Sequence, residues 1–342
     1  MTKKRVLYYD ALNVVACFGV VAMHFNGLTH AYSATFDWRQ AFFVDCVFYW
    51  AVPAFFMLSG ATLLDYSRKY DTITFFIKRL RRVVVPFLAW SVIALVWKVS
   101  TGQMAGPVGP RSLFNLFLNT QIIDIYWFFV PLFATYLCMP VLTELKDNRN
   151  ALWYLVALAV LVNVFLPFVF SSVGITWNSQ ANIPLAGGYL VYVLLGYLLR
   201  DCRLEKRVAY LIYAAGILGF LMRLIHTIVA SDAAGSLVES TWGYTNLPCF
   251  LEAIAVFVLF SRINWARFFS SDGAARGLSS LAGCSFGIYL IHMIIFWYGL
   301  EWTGLNGGDI EWRLCGPVIA YLACLLLVWV AKKIPMVREL FP

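Results

Sequence analysis

Apolar positions in this chain fall in long blocks. Ten such blocks lie near 7–28, 41–64, 83–100, 126–143, 151–171, 186–200, 208–229, 245–261, 282–300 and 314–331. Most approach the roughly 20 residues that a helix needs to cross a bilayer core. Several begin or end in Trp or Tyr, as interfacial anchors do. The pattern predicts an all-α fold: a polytopic membrane helical bundle of about ten transmembrane helices. A single domain is expected over 1–342, with loops near 65–82, 101–125, 172–185, 230–244, 262–281 and 301–313. No internal repeat, low-complexity tract or soluble domain stands out.

The basic residues orient these blocks. Twenty-one Lys and Arg fall on one side of the expected bundle: Lys3, Lys4 and Arg5, six from Arg68 to Arg82, Lys146 and Arg149, four from Arg200 to Arg207, then Arg262, Arg267, Arg276, Lys332, Lys333 and Arg338. Only Arg39, Arg111 and Arg313 fall on the other, and Lys98 and Arg223 sit within blocks. The positive-inside rule places both termini in the cytoplasm.

Composition agrees: 61% of residues are hydrophobic and 13% charged, against about 25% charged in soluble domains. The net charge of +8 follows from topology, so nucleic acid is not an expected partner. The eight cysteines form no Cys-x-x-Cys pair, and neither a disulfide framework nor a metal site is expected. The N-terminus is read as a retained first span, since Asp10, Asn13 and His24 interrupt what would be a signal peptide's apolar core.

Polar residues inside spans carry the candidate chemistry. Asp10, Asn13, Cys17 and His24 fall within about 60° of one another on a helix. Asp10 and His24 are separated by roughly 21 Å of axis, so Asp10 cannot orient His24. Asp45 in the second span enters at a similar depth to His24, and Glu252 in the eighth lies a little deeper. Asp124 lies at the outer mouth of the fourth span, and Arg223 with His226 at the outer end of the seventh. Histidine suits proton transfer near neutral pH. It also glues neighbouring helices, and Asp45 and Glu252 also suit neutralising Arg223 or Lys98. His30 and His226 are read as solvated.

The run Lys78-Arg79-Leu80-Arg81-Arg82 ahead of Pro86 is more basic than orientation requires. Contact with anionic lipid explains it, and so does a phosphate site, because arginine grips phosphate with a bidentate fork. The aromatics between Ala31 and Phe56 are read as interfacial anchors.

Four segments in order resemble the integral-membrane acyltransferase 3 family: Tyr9-Asp10-Ala11-Leu12-Asn13 leading to His24, Phe55-Phe56-Met57-Leu58-Ser59-Gly60, Phe76-Ile77-Lys78-Arg79-Leu80-Arg81-Arg82 with Pro86, and Ser285-Phe286-Gly287-Ile288-Tyr289-Leu290-Ile291-His292. Tyr126-Trp127-Phe128-Phe129 is similar to the start of the family's fourth span. The resemblance implies a membrane O-acyltransferase of the bacterial cytoplasmic membrane. It would move an acyl group, often acetyl, from cytoplasmic acyl-CoA to a hydroxyl of an extracytoplasmic or lipid-linked glycan. Acetyl-CoA would be a donor substrate, with no tightly bound cofactor. Membrane lipids are expected partners, and a homo-oligomer is left open.

The resemblance makes His24 the expected catalytic histidine, with Asp45 or Glu252 to orient it. Lys78, Arg79, Arg82 and Ser59 would bind acyl-CoA. Asp10, Asn13, Trp127, Arg223 and His292 are further candidates. Asn13 stands where the family usually has arginine. The rival expectation is a transporter or flippase of a glycan or lipid precursor, using the same polar stripe as a pathway.

Overall fold

The structure, a computed structural model, describes residues 6–178 and 180–342. Lys3, Lys4 and Arg5, counted above in the basic flank, lie outside the described residues. Ten helical elements follow the order of the apolar blocks: α1 Leu7–Phe25, α2 Phe36–Arg68, α3 Thr72–Ser100, α4 Asp124–Glu144, α5 Arg149–Ser172, α6 Leu190–Leu199, α7 Lys206–Ala234, α8 Leu247–Arg262, α9 Asp272–Thr303 and α10 Ile310–Ala331. No strand occurs among the described residues. Eight of the ten, all but α6 and α8, are long and apolar enough to cross a membrane. Exposed Leu211, Ile217, Ile225 and Val229 give α7 an apolar outer surface.

Three blocks differ from expectation. The block at 186–200 yields only the ten-residue α6, every residue of which from Val191 to Leu199 is buried. At 1.5 Å per residue it rises roughly 15 Å, so its continuous apolar character reflects a core position. The basic run, expected as a loop, is helical: the Asp71 side chain accepts from Thr74 N (2.8 Å) and starts α3 before the first basic residue. The expected loop at 262–281 ends early for the same reason, because Ser271 Oγ accepts from Ala274 N (3.1 Å) and caps α9.

Two helices carry π-turns, Leu80–Val84 in α3 and Val160–Phe165 in α5. Each precedes a proline, Pro86 or Pro167. Proline lacks the N–H that would bond the carbonyl four residues back, so the preceding turn is free to widen. The first π-turn holds Arg81 and Arg82.

α2 and α6 approach closer than side chains permit. A Cβ on Gly60 would lie 1.8 Å from Val193 O, and one on Gly196 would lie 1.9 Å from Met57 O. Glycine at both positions sets two backbones directly against each other and fixes the α2 face around Ser59. α1 packs against α2, α8, α9 and α10, so its polar stripe faces protein.

Candidate active site

α1 and α9 meet at three polar contacts. Ser279 Oγ donates to Asp10 Oδ2 at 2.8 Å, Cys17 Sγ lies 3.4 Å from Ser285 O, and His24 Nδ1 lies 2.8 Å from His292 Nε2. The sequence offsets are 269, 268 and 268. The two helices are therefore parallel and in register, and the contacts on α1 recur every seven residues. That spacing is the seam of a left-handed helix pair.

The top contact fixes a tautomer. His292 Nδ1 lies 2.8 Å from Tyr289 O and 3.2 Å from Ile288 O. A carbonyl only accepts, so His292 Nδ1 carries a proton. With both rings neutral, His292 Nε2 is an acceptor and His24 Nδ1 must donate to it. His24 Nε2 is left with a lone pair, which is the atom a general base needs.

The first turn of α4 is pinned to the same place. Tyr289 donates its hydroxyl proton to Ile125 O, and Tyr126 donates to Leu290 O at 2.8 Å. Trp127 follows two residues after Ile125, so the dyad and this aromatic share one hydrogen-bonded unit.

A cavity of about 600 Å³ runs along this seam. Asp10, Asn13, Ser285 and His24 line it from α1 and α9, and Val52, Phe55, Ser59 and Thr62 line it from one face of α2. Trp127 and Tyr244 line it as well, stacked at 5.4 Å with 17° between their planes. Arg79 and Arg82 line it from α3. Asp10 and His24 both border the cavity, so it extends roughly 21 Å along α1.

Arg79 sits 5.8 Å from the ring centroids of both Phe75 and Tyr136, and its buried Nε has no hydrogen-bond partner. Neither Arg79 nor Arg82 forms an ion pair within the described residues. By contrast, Arg39, Arg68, Arg200, Arg223 and Arg313 each hold an aspartate. Lys78 turns away and lies over the Tyr70 ring at 3.7 Å.

Asp45, Arg223 and Glu252 are elsewhere. Arg223 Nη2 lies 2.5 Å from Asp45 Oδ2, and its guanidinium covers the Tyr49 ring at 3.2 Å. Both Glu252 oxygens are buried without a hydrogen-bond partner among the described residues. None of the three lines the cavity, and the group beside His24 is His292 in place of a carboxylate. Asp45 is therefore held to Arg223, one of the two arrangements the sequence allowed. His30 and His226 are exposed, and Asp124 borders no part of the cavity. Among the described residues, no group of three or more His, Cys, Asp or Glu side chains is placed to hold a metal ion.

Ser285, Tyr244 and Tyr136 line the cavity without having been singled out. For Ser285 the signal was available, since it lies seven residues before His292, as Cys17 does before His24. For Tyr244 none was, because it follows a polar loop and reaches the cavity only through folding.

A helical membrane protein with a hydrogen-bonded histidine pair beside a long internal cavity is the class that fold and site define. The family model for an acyltransferase domain, acyltransferase 3, matches residues 6–331. The chain belongs to that family and is a membrane acyltransferase. No curated protein and no solved structure matches it.

Proposed function

We propose that the protein is an acyl-CoA-dependent O-acyltransferase, an O-acetyltransferase in the first instance, acting on a hydroxyl of a glycan or lipid-linked sugar. The observation that carries this reading is the pair of ends of one cavity. Arg79 and Arg82, without ion-pair partners among the described residues, border it at one end, and His24 borders it at the other. Guanidinium groups without carboxylates suit the phosphates of CoA. The Lys and Arg asymmetry supports a cytoplasmic position for that end, in a bacterial cytoplasmic membrane with both termini inside.

The donor lies with its phosphates at the arginines and its thioester near His24. The acceptor hydroxyl approaches from the opposite side. His24 Nε2 takes the hydroxyl proton as the oxygen attacks the thioester carbonyl. The new C–O bond forms, the C–S bond breaks, and His24 returns the proton to the departing thiolate. His292 keeps Nε2 of His24 free throughout and accepts from the imidazolium, as the orienting member of a triad does.

The test is release of free CoA thiol from acetyl-CoA by purified protein in detergent, with a panel of glycan acceptors, for wild type and His24→Ala. Acceptor-stimulated release that vanishes in a folded His24→Ala variant supports the proposal. Movement of a glycan or lipid precursor across vesicles without covalent change overturns it in favour of transport.

A further inference from the structure

The middle of the cavity holds two polar atoms that the protein leaves unsatisfied. Ser285 Oγ and Asn13 Oδ1 are buried and have no hydrogen-bond partner among the described residues, and both residues line the cavity. Ser285 is only 4% exposed. Thr62 Oγ1, also on the cavity wall, donates to Leu58 O at 2.7 Å, and the contact of Cys17 is with the carbonyl of Ser285, not its hydroxyl. Leaving a buried polar atom unpaired is costly, so such atoms on a cavity wall point to an occupant with matching groups.

Their positions describe that occupant. Ser285 lies seven residues below His292, roughly 10 Å along the axis, and Asn13 lies eleven below His24, roughly 16 Å. The two stations are thus about 6 Å apart in height. Asn13 Oδ1 calls for an N–H or O–H donor, while Ser285 Oγ–H is free to donate to a carbonyl. A hydrocarbon chain meets neither demand, and an anionic chain offers no N–H. A chain of secondary amides meets both, and amides separated by two methylenes repeat about every 5 Å when extended.

We infer that Ser285 and Asn13 form an amide-reading collar that grips the neutral arm of the donor between its phosphates and its thioester. The inference rests on the thioester-donor reading above. It assigns Asn13 a role of its own at a position where the family usually has arginine.

The collar is tested with three thioesters: acetyl-CoA, S-acetylpantetheine, which keeps the amides and lacks the nucleotide, and S-acetyl-2-mercaptoethanol, which has no amide. For Ser285→Ala, and separately Asn13→Ala, the ratio of kcat/KM between each amide-bearing donor and the amide-free one falls about tenfold. An unchanged ratio in both variants overturns the collar. Thermal stability of ligand-free Ser285→Ala equals or exceeds that of wild type, because the lost hydroxyl had no partner, and marked destabilisation counts against the inference. Calorimetric binding of pantetheine separates the two proposals. If no thioester is turned over, the acyl-CoA reading fails, and pantetheine binding that weakens in both variants still supports the collar. Binding equal to that of wild type in both overturns it.

Discussion

His24 Nδ1 stands 2.8 Å from His292 Nε2, and the carbonyl of Tyr289 behind His292 decides which ring carries which proton. Removing His24 removes the base, so His24→Ala loses about 10²–10⁴-fold in kcat while remaining folded by thermal denaturation. His292 acts through His24. His292→Ala lets the His24 ring rotate and change tautomer, whereas His292→Gln retains an oxygen able to accept from Nδ1. The expected order of kcat is wild type, then Gln, then Ala, with donor KM little changed. Equal kcat for Gln and Ala would show that His292 only fills space.

In the proposed reaction the arginines at the far end act on phosphate alone. Arg79→Ala and Arg82→Ala raise KM for acetyl-CoA by about 10–100-fold, the loss of one charge-assisted contact. KM for S-acetylpantetheine, which has no nucleotide phosphates, stays as in wild type. A rise for both donors would assign the arginines to the fold instead.

Asp45 and Arg223 form a buried pair with side chains 8% and 0% exposed. Breaking such a pair from one side costs about 3–5 kcal/mol, while replacing both partners with apolar residues is often neutral. Asp45→Leu is therefore poorly folded, and Asp45→Leu with Arg223→Leu recovers folding. Acyl transfer returns with the fold in the double variant. A folded but inactive double variant would bring Asp45 into the chemistry.

Trp127 stacks on Tyr244 in the cavity wall and is tied to the dyad through Ile125 and Tyr289. In the proposed reaction it lines the part of the cavity that the acceptor enters. Trp127→Ala raises KM for the acceptor several-fold, and CoA-thiol release titrated against each substrate shows donor KM unmoved.

The bundle, its helical order and the face of α1 were legible in the sequence, because apolar block length and a 100° rotation per residue are local properties. That His24 faces the bundle interior was legible for the same reason. Its partner was not. Asp45 and Glu252 lie near His24 in depth, yet depth does not fix azimuth, and α9 turned out to pack beside α1. His292 was visible only as one residue of a motif, and the 268-residue offset that joins it to His24 exists only after folding. The helical start of α3 was hidden by its charge, since a run of arginines reads as loop although Lys and Arg are good helix formers.

The common register of α1 and α9 makes length itself a functional quantity. Adding or deleting one residue between Asp10 and His24 would swing the imidazole about 100° around the axis and misalign it with His292, even with every side chain retained. Exchanges of amino acid along this segment are gradable, whereas a change in the number of residues is all or none. The fourteen steps from Asp10 to His24 act as a ruler that keeps the Ser279 contact and the His292 contact in step on one pair of helices.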